Sequence, residues 1–221
     1  MNEILRQVVT ADTDLMLAIN GLHAALFDGF MWGYTKVFVW VPFYAALVFL
    51  LYKNQNWKTV LWMLACVALT ILICDQVTSH LIRPVVQRLR PANLDNPVSA
   101  WVHVVNEYRG GRYSFPSAHA SNTFGLAFFL MYLFRYKVLT ALLLVWAFLN
   151  CYSRIYLGVH YPGDILAGML VGLLAGSFSY VLFKHFSSEN PAHKPVHLLW
   201  LPFAAWLLTV ASLFAYSLFY Y

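Results

Sequence analysis

The sequence predicts an all-α, polytopic membrane protein: a bundle of six transmembrane helices preceded by an amphipathic helix at the bilayer interface. Two observations carry this prediction. Hydrophobic residues make up 61% of the 221 residues and charged residues only 10%, against about 25% charged in an ordinary soluble domain. The apolar residues are also gathered into six runs close to or above the ~20 residues needed to cross hydrocarbon as a helix. The same composition excludes other classes. Although the formal net charge is +5, Lys and Arg are scattered between apolar runs without a basic tail or stripe, so no nucleic-acid partner is expected. Cys66, Cys74 and Cys151 lie inside apolar stretches without CxxC pairing and read as small core residues.

The expected spans are residues 34–52, 57–82, 117–134, 138–156, 162–183 and 197–219. The third is short, and Pro42 inside the first predicts a kink. Before them, the stretch from Asp12 to Gly33 mixes Asp12, Asp14, Asn20, His23 and Asp28 with Leu, Phe and Trp. That is too polar to cross hydrocarbon, so residues 1–33 are expected at the interface. The N-terminus has no cleavable-signal pattern, and the first span is expected to target the chain. No long-period repeat appears, and residues 1–221 read as a single domain. Tyr and Trp crowd the predicted span ends as interfacial belts.

Orientation follows from loop charge. Lys53 with Lys58, Arg135 with Lys137, and Lys184 with Lys194 fall on one side, which is then cytoplasmic. The opposite face receives the long connection 83–116 and the turn around His160. It also carries Arg83, Arg88, Arg90, Arg109, Arg112 and Arg154, against the positive-inside rule, and arginines so placed are expected to be held there by function. For Arg88 and Arg109, interfacial anchoring is an equal alternative.

Three clusters gather at that face. The first is Arg83-x6-Arg90-Pro91; seven residues make nearly two helical turns, so both guanidiniums share a face if the helix continues through Pro84. The second is Phe115-Pro116-Ser117-Ala118-His119, opening the third span, where a helix N-terminus offers unpaired N–H groups to an anion. The third is Ser153-Arg154-x5-His160-x3-Asp164. Pro162 opens the next helix there, and Asp164 in its first turn can reach back to His160 and fix its tautomer.

In order and spacing these clusters resemble the three signatures of the type 2 phosphatidic acid phosphatase family, over roughly Arg83 to Asp164. The resemblance implies a phosphoryl-transfer enzyme of the membrane whose substrate is a phosphorylated lipid: undecaprenyl diphosphate, lipid A or phosphatidylglycerol phosphate. It implies His160 as nucleophile, forming a phosphohistidine, with Asp164 as its orienting partner. His119 is implied as general acid and then base. Arg83, Arg90, Arg154, Ser117 and the Ala118 backbone N–H are implied as phosphate ligands. Two positions depart from the family pattern, which has lysine at Arg83 and glycine at Ala118. An inner-membrane location with the site at the outer face is expected. No HExxH, Asp cluster or Cys/His ligand spacing is found, so no metal or other cofactor is expected.

The loop 92–115, with Arg109 and Arg112, is expected to recognise the headgroup. Gly168, Gly172 and Gly176, spaced by four, predict a close helix contact within the bundle. Asp75 within the second span is expected either to assist the site or to bond Thr78. Two further readings of the site remain: a transporter or scaffold that binds a lipid phosphate without turnover, and an enzyme like the vanadium haloperoxidases, which share these signatures.

Overall fold

In hydrocarbon the backbone has no water to bond, so a chain this apolar must satisfy its amides within helices. A computed structural model describes residues 3–187 and 198–220. Among these residues the structure is helical, with one isolated antiparallel bridge between Leu89 and Tyr113. The helices are α1 (Glu3–Asn20), α2 (Ala25–Tyr34), α3 (Val41–Asn54), α4 (Trp57–Asp75), α5 (Arg83–Val86), α6 (Ala118–Phe134), α7 (Lys137–Tyr156), α8 (Pro162–Phe186) and α9 (Trp200–Tyr220). Five stretches are long and apolar enough to cross a membrane: Val37–Asn54, Trp57–Val86, Lys137–Tyr156, Pro162–Phe186 and Trp200–Phe219. The remaining predicted span is α6, only 17 residues long. It is packed between α4, α7 and α8, so protein rather than lipid covers most of it. Lys194 and His197, used above for a loop and a span start, lie outside the described residues.

Four expectations are corrected. The N-terminal segment is two helices, not one: α1 and α2 meet at 114° after the chain breaks at Gly21 and Leu22. The first span starts at Val37, because Tyr34 already ends α2. Pro42 lies in the first turn of α3, behind a 3₁₀ turn over Val37–Trp40, so it opens the helix instead of kinking it. Arg83 and Arg90 do not share a helix face. The second span continues past Asp75 by widening into a π-helical segment, Gln76–Ile82, which accommodates Pro84. The helix then ends at Val86, where Gln87 turns left-handed, and Arg90 lies on the loop beyond.

The pair α6–α8 forms the centre of the bundle. A β-carbon at Gly172 would stand 2.6 Å from the Ser121 carbonyl oxygen, and one at Gly176 2.6 Å from that of Gly125. One at Gly168 would strike the Ser117 carbonyl. The glycine face therefore serves packing inside the bundle, and it sets the N-termini of α6 and α8 side by side. Around this pair, Trp40, Phe43 and Trp146 pack edge-on or tilted at centroid distances of 5.6–6.1 Å and join the start of α3 to α7. Gly172→Ala is expected to force the two helices apart and cost about 1–3 kcal/mol, seen as a lower melting temperature in detergent. Gly111→Ala, in an exposed loop with open space around it, leaves the melt unchanged.

Candidate active site

Four chain segments end at one pole of the bundle: the C-termini of the second span and α7, and the N-termini of α6 and α8. Helix α7 closes through Gly158, whose φ of +68° suits glycine and where a β-carbon would collide with the Val102 side chain. That turn delivers His160 to the interior, 1% exposed, beside Arg154 at 2% and Asp164 at 0%.

The His160 ring is held from both sides. Nδ1 lies 3.4 Å from Asp164 Oδ2, and Nε2 lies 3.4 Å from Arg90 Nη1. A guanidinium has only hydrogens to offer, so Nε2 is the acceptor and the ring proton sits on Nδ1, facing the carboxylate. Asp164 Oδ2 also accepts the Tyr161 N–H at 2.9 Å. His119, on the first turn of α6, donates to the Thr35 backbone carbonyl and is close enough to interact electrostatically with His160, Arg90 and Arg154.

The arginines are anchored by neutral acceptors. Arg90 gives Nε to the Tyr113 carbonyl (3.1 Å) and Nη1 to that of Val159 (3.3 Å). Arg154 gives Nη1 to Thr35 Oγ1 (2.7 Å) and Nη2 to the Tyr108 hydroxyl (3.3 Å). Arg83 gives Nη2 to the Pro116 carbonyl (3.1 Å) and Nη1 to Ser79, which in turn donates to Asp75. Asp75 thus supports Arg83 through Ser79, while Thr78 bonds the Cys74 carbonyl instead. The Nε atoms of both Arg83 and Arg154 are buried without a partner, and an anion entering the cup supplies the acceptors they lack. Ser117 caps α6, its hydroxyl accepting the Ala120 N–H, and Ala118 opens that helix beside it.

Charge in the cup is visible in its titrating groups. His160 is held well below the ordinary histidine value, first by burial and then by Arg90, Arg154 and Arg83. Arg90 is pushed down to about 10 by burial and by its arginine neighbours. Burial alone would raise the Tyr108 phenol, but Arg154, Arg90 and Lys36 together bring it below its usual value.

Two site residues expected from the sequence are engaged elsewhere. Arg109 donates to the Ala92 carbonyl (2.7 Å), tying down its own loop, and Arg112 forms an exposed pair with Asp95 at 3.6 Å. Conversely, Thr35 and Tyr108 touch the cup without having been expected there. Thr35 has no local signal at all; Tyr108 was visible only as one aromatic in a loop of functional length. Among the described residues, no group of three or more His, Cys, Asp or Glu side chains is placed to hold a metal ion.

A profile described as the PAP2 superfamily matches residues 61–188, more than half of the chain and all three clusters. The chain belongs to the PAP2 superfamily. Lipid A 4'-phosphatase of Bacteroides thetaiotaomicron is 44% identical over 84% of this chain and 82% of its own length. Lipid A 4'-phosphatase of Porphyromonas gingivalis is 35% identical over 86% and 82%. Among solved structures, Aquifex aeolicus LpxE superposes with a TM-score of 0.56 at 25% identity, covering 75% of this chain and 92% of that one. This PAP2 protein is therefore an integral membrane lipid phosphatase.

For His160, an added proton would join a buried site already rich in positive charge, so the ring resists protonation. In NMR spectra of histidine-labelled protein it is expected to remain neutral at about pH 6, below the ordinary midpoint of about 6.5. Arg90→Met removes one repelling charge and is expected to move its midpoint upward.

Proposed function

We propose that this PAP2 protein removes a phosphate group from lipid A or a closely similar acylated glycolipid phosphate, in the inner membrane, with its site at the outer face. The observation that carries the reaction is the His160 ring, its Nε2 aimed into a cup of three guanidiniums and its Nδ1 backed by Asp164. The Bacteroides and Porphyromonas relatives support the substrate. Undecaprenyl diphosphate and phosphatidylglycerol phosphate are the comparison substrates.

In this reading the phosphate oxygens replace the missing partners of Arg83 and Arg154 and bond Arg90, Ser117 and the Ala118 N–H. His160 Nε2 attacks phosphorus as the bond to the lipid oxygen breaks, and protonated His119 gives its proton to that oxygen. A water then attacks the phosphohistidine, His119 takes the water's proton, and the N–P bond breaks to release inorganic phosphate. Phosphoryl transfer depends mainly on positioning and charge stabilisation, and the arginines supply the charge.

The lipid's tails have a place as well. A cavity of about 380 Å³ runs into the bundle from Thr35 and His119 past Val67 and Leu126 to Leu130. Along α6 the twelve residues from His119 to Leu130 span about 16 Å. His119 stands at its mouth, where a leaving alcohol would sit between phosphate and chain. The lysines and arginine Lys53, Lys58, Arg135, Lys137 and Lys184 occupy the helix ends away from the cup, and the positive-inside rule makes that pole cytoplasmic.

His160→Ala is expected to abolish phosphate release from a short-chain lipid phosphate, with the wild type still turning over in excess chelator. Unchanged release in the variant would exclude His160 as the nucleophile, and no release by the wild type would favour a carrier role. Val67→Trp, which fills the cavity, is expected to raise KM for a long-chain substrate about tenfold or more and to leave that for a short-chain one nearly unchanged, by steady-state assay in mixed micelles.

A further inference from the structure

A chain of ionic contacts leads from the N-terminal helix to the carboxylate behind His160. Asp12 lies on α1, outside the residues matched by the superfamily profile. Its Oδ1 accepts the Gly163 N–H at 2.7 Å, and its Oδ2 lies 2.7 Å from Arg88 Nη1. The same Nη1 is 3.2 Å from Asp164 Oδ1, and the Arg88 guanidinium carbon is 3.6 Å from the Tyr161 ring centroid. Arg88 is thus clamped between two carboxylates and flat against an aromatic face.

The oxygens of Asp164 divide their work. Oδ2 serves His160 and the Tyr161 N–H; Oδ1 serves Arg88. Without Arg88 the carboxylate keeps the Tyr161 N–H and its bond to the Ser114 side chain, but it loses the contact on Oδ1 that holds it in line with the imidazole. An unrestrained arginine beside it would instead compete with His160 for the carboxylate's charge. Asp12 prevents the second outcome by drawing Arg88 from the other side. It also takes the N–H of Gly163, one of the amides left without a helical partner in the first turn of α8. A β-carbon at Gly163 would stand 2.9 Å from Asp12 Oδ2, so glycine there lets α1 approach the turn that carries Asp164.

We infer that Arg88 and Asp12 are positioning residues for phosphoryl transfer: Arg88 fixes Asp164, and Asp12 fixes Arg88. This rests on the reading of His160 as nucleophile and Asp164 as its orienting partner. It makes α1, a helix with Ile4, Leu5, Val8 and Leu15 exposed along it, part of the catalytic apparatus.

The test is steady-state kinetics of the full chain in mixed micelles with a lipid phosphate, with inorganic phosphate as a probe of the cup. Arg88→Ala and Asp12→Ala are each expected to lower kcat by about 10–100-fold, the range found when the partner behind a metal-ligating histidine or carboxylate is removed. KM and the inhibition constant of inorganic phosphate stay within about twofold, because these side chains do not contact the phosphate site. Asp12→Glu and Arg88→Lys recover part of the loss, the lysine less, since its ammonium lacks the planar group that Arg88 lays over the Tyr161 ring. Because Asp12 acts through Arg88, the double alanine variant is expected to be no more than about twofold slower than Arg88→Ala alone. Unchanged kcat in Arg88→Ala overturns the inference. So does a double variant that shows the product of the two single losses, or a phosphate inhibition constant that weakens in step with kcat. Failure of the underlying reading shows differently, as turnover by His160→Ala.

Discussion

Positive charge with little negative charge to match it is the constraint around which this molecule is built. Arg90 and Arg154 are almost wholly buried, Arg83 is half-buried beside them, and the carboxylate near them, Asp164, is already engaged by His160 and Arg88. Unpaired buried cations cost several kcal/mol each. Here the cost is reduced by neutral acceptors: the carbonyls of Tyr113, Val159 and Pro116, and the hydroxyls of Thr35 and Tyr108. Those carbonyls are available because the chain is irregular at these points. A helix interior would have used them for itself. The broken backbone at this pole is therefore what allows arginines to be held without carboxylates that would compete with phosphate for them.

Irregular backbone near a bilayer is tolerable only when protein encloses it, and enclosure depends on α6 and α8. Their glycine contact brings the Ser117 N–H to the Asp164 carbonyl at 3.0 Å, a direct bond between the second and third clusters. The short helix α6 is thus less a membrane span than a buried pillar. It carries Ser117 and His119 at its head, while its side faces the cavity. Helices α2 and α9 pack together at the flank, and the end of α2 places Thr35 against both Arg154 and His119.

Much of this was legible in the sequence because it is written in local pattern. Apolar run lengths located the helices, proline and serine marked helix starts, the spacing of four between glycines marked a packing face, and the His160-x3-Asp164 spacing across a helix start gave a bonded pair. What was not legible depended on distant contacts. Arg83 and Arg90 converge through a left-handed turn and a loop, which a helical-face argument cannot see. Thr35 meets Arg154 from 119 positions away, and nothing in its neighbourhood distinguishes it from any threonine after an aromatic helix. Asp12 and Arg88 each looked like ordinary polar residues near an interface; their meaning appears only when α1 is laid against α8. Arg109 shows a local contact that the sequence also did not reveal, its bond to the Ala92 carbonyl of its own loop.

In the proposed reaction the two histidines take two tasks according to what stands behind each ring. Behind His160 stand the Ser114 backbone carbonyl and a carboxylate, whose full negative charge favours the proton on Nδ1 and, in that reaction, would stabilise the positive ring formed when Nε2 bonds to phosphorus. Behind His119 is a backbone carbonyl, that of Thr35, which orients the ring but offers only a dipole. A ring held by a dipole can gain and lose its proton as the reaction turns from bond breaking to hydrolysis, whereas a ring held by a carboxylate is suited to carry positive charge through an intermediate. The placement of the partners agrees with this division. Asp164 stands on the Nδ1 side of His160 and Arg90 on its Nε2 side, while Thr35 lines the cavity mouth, where the proposed reaction would release the lipid alcohol. The difference between nucleophile and proton carrier thus lies in one carboxylate, and the helices α1 and α8 are arranged to keep it still.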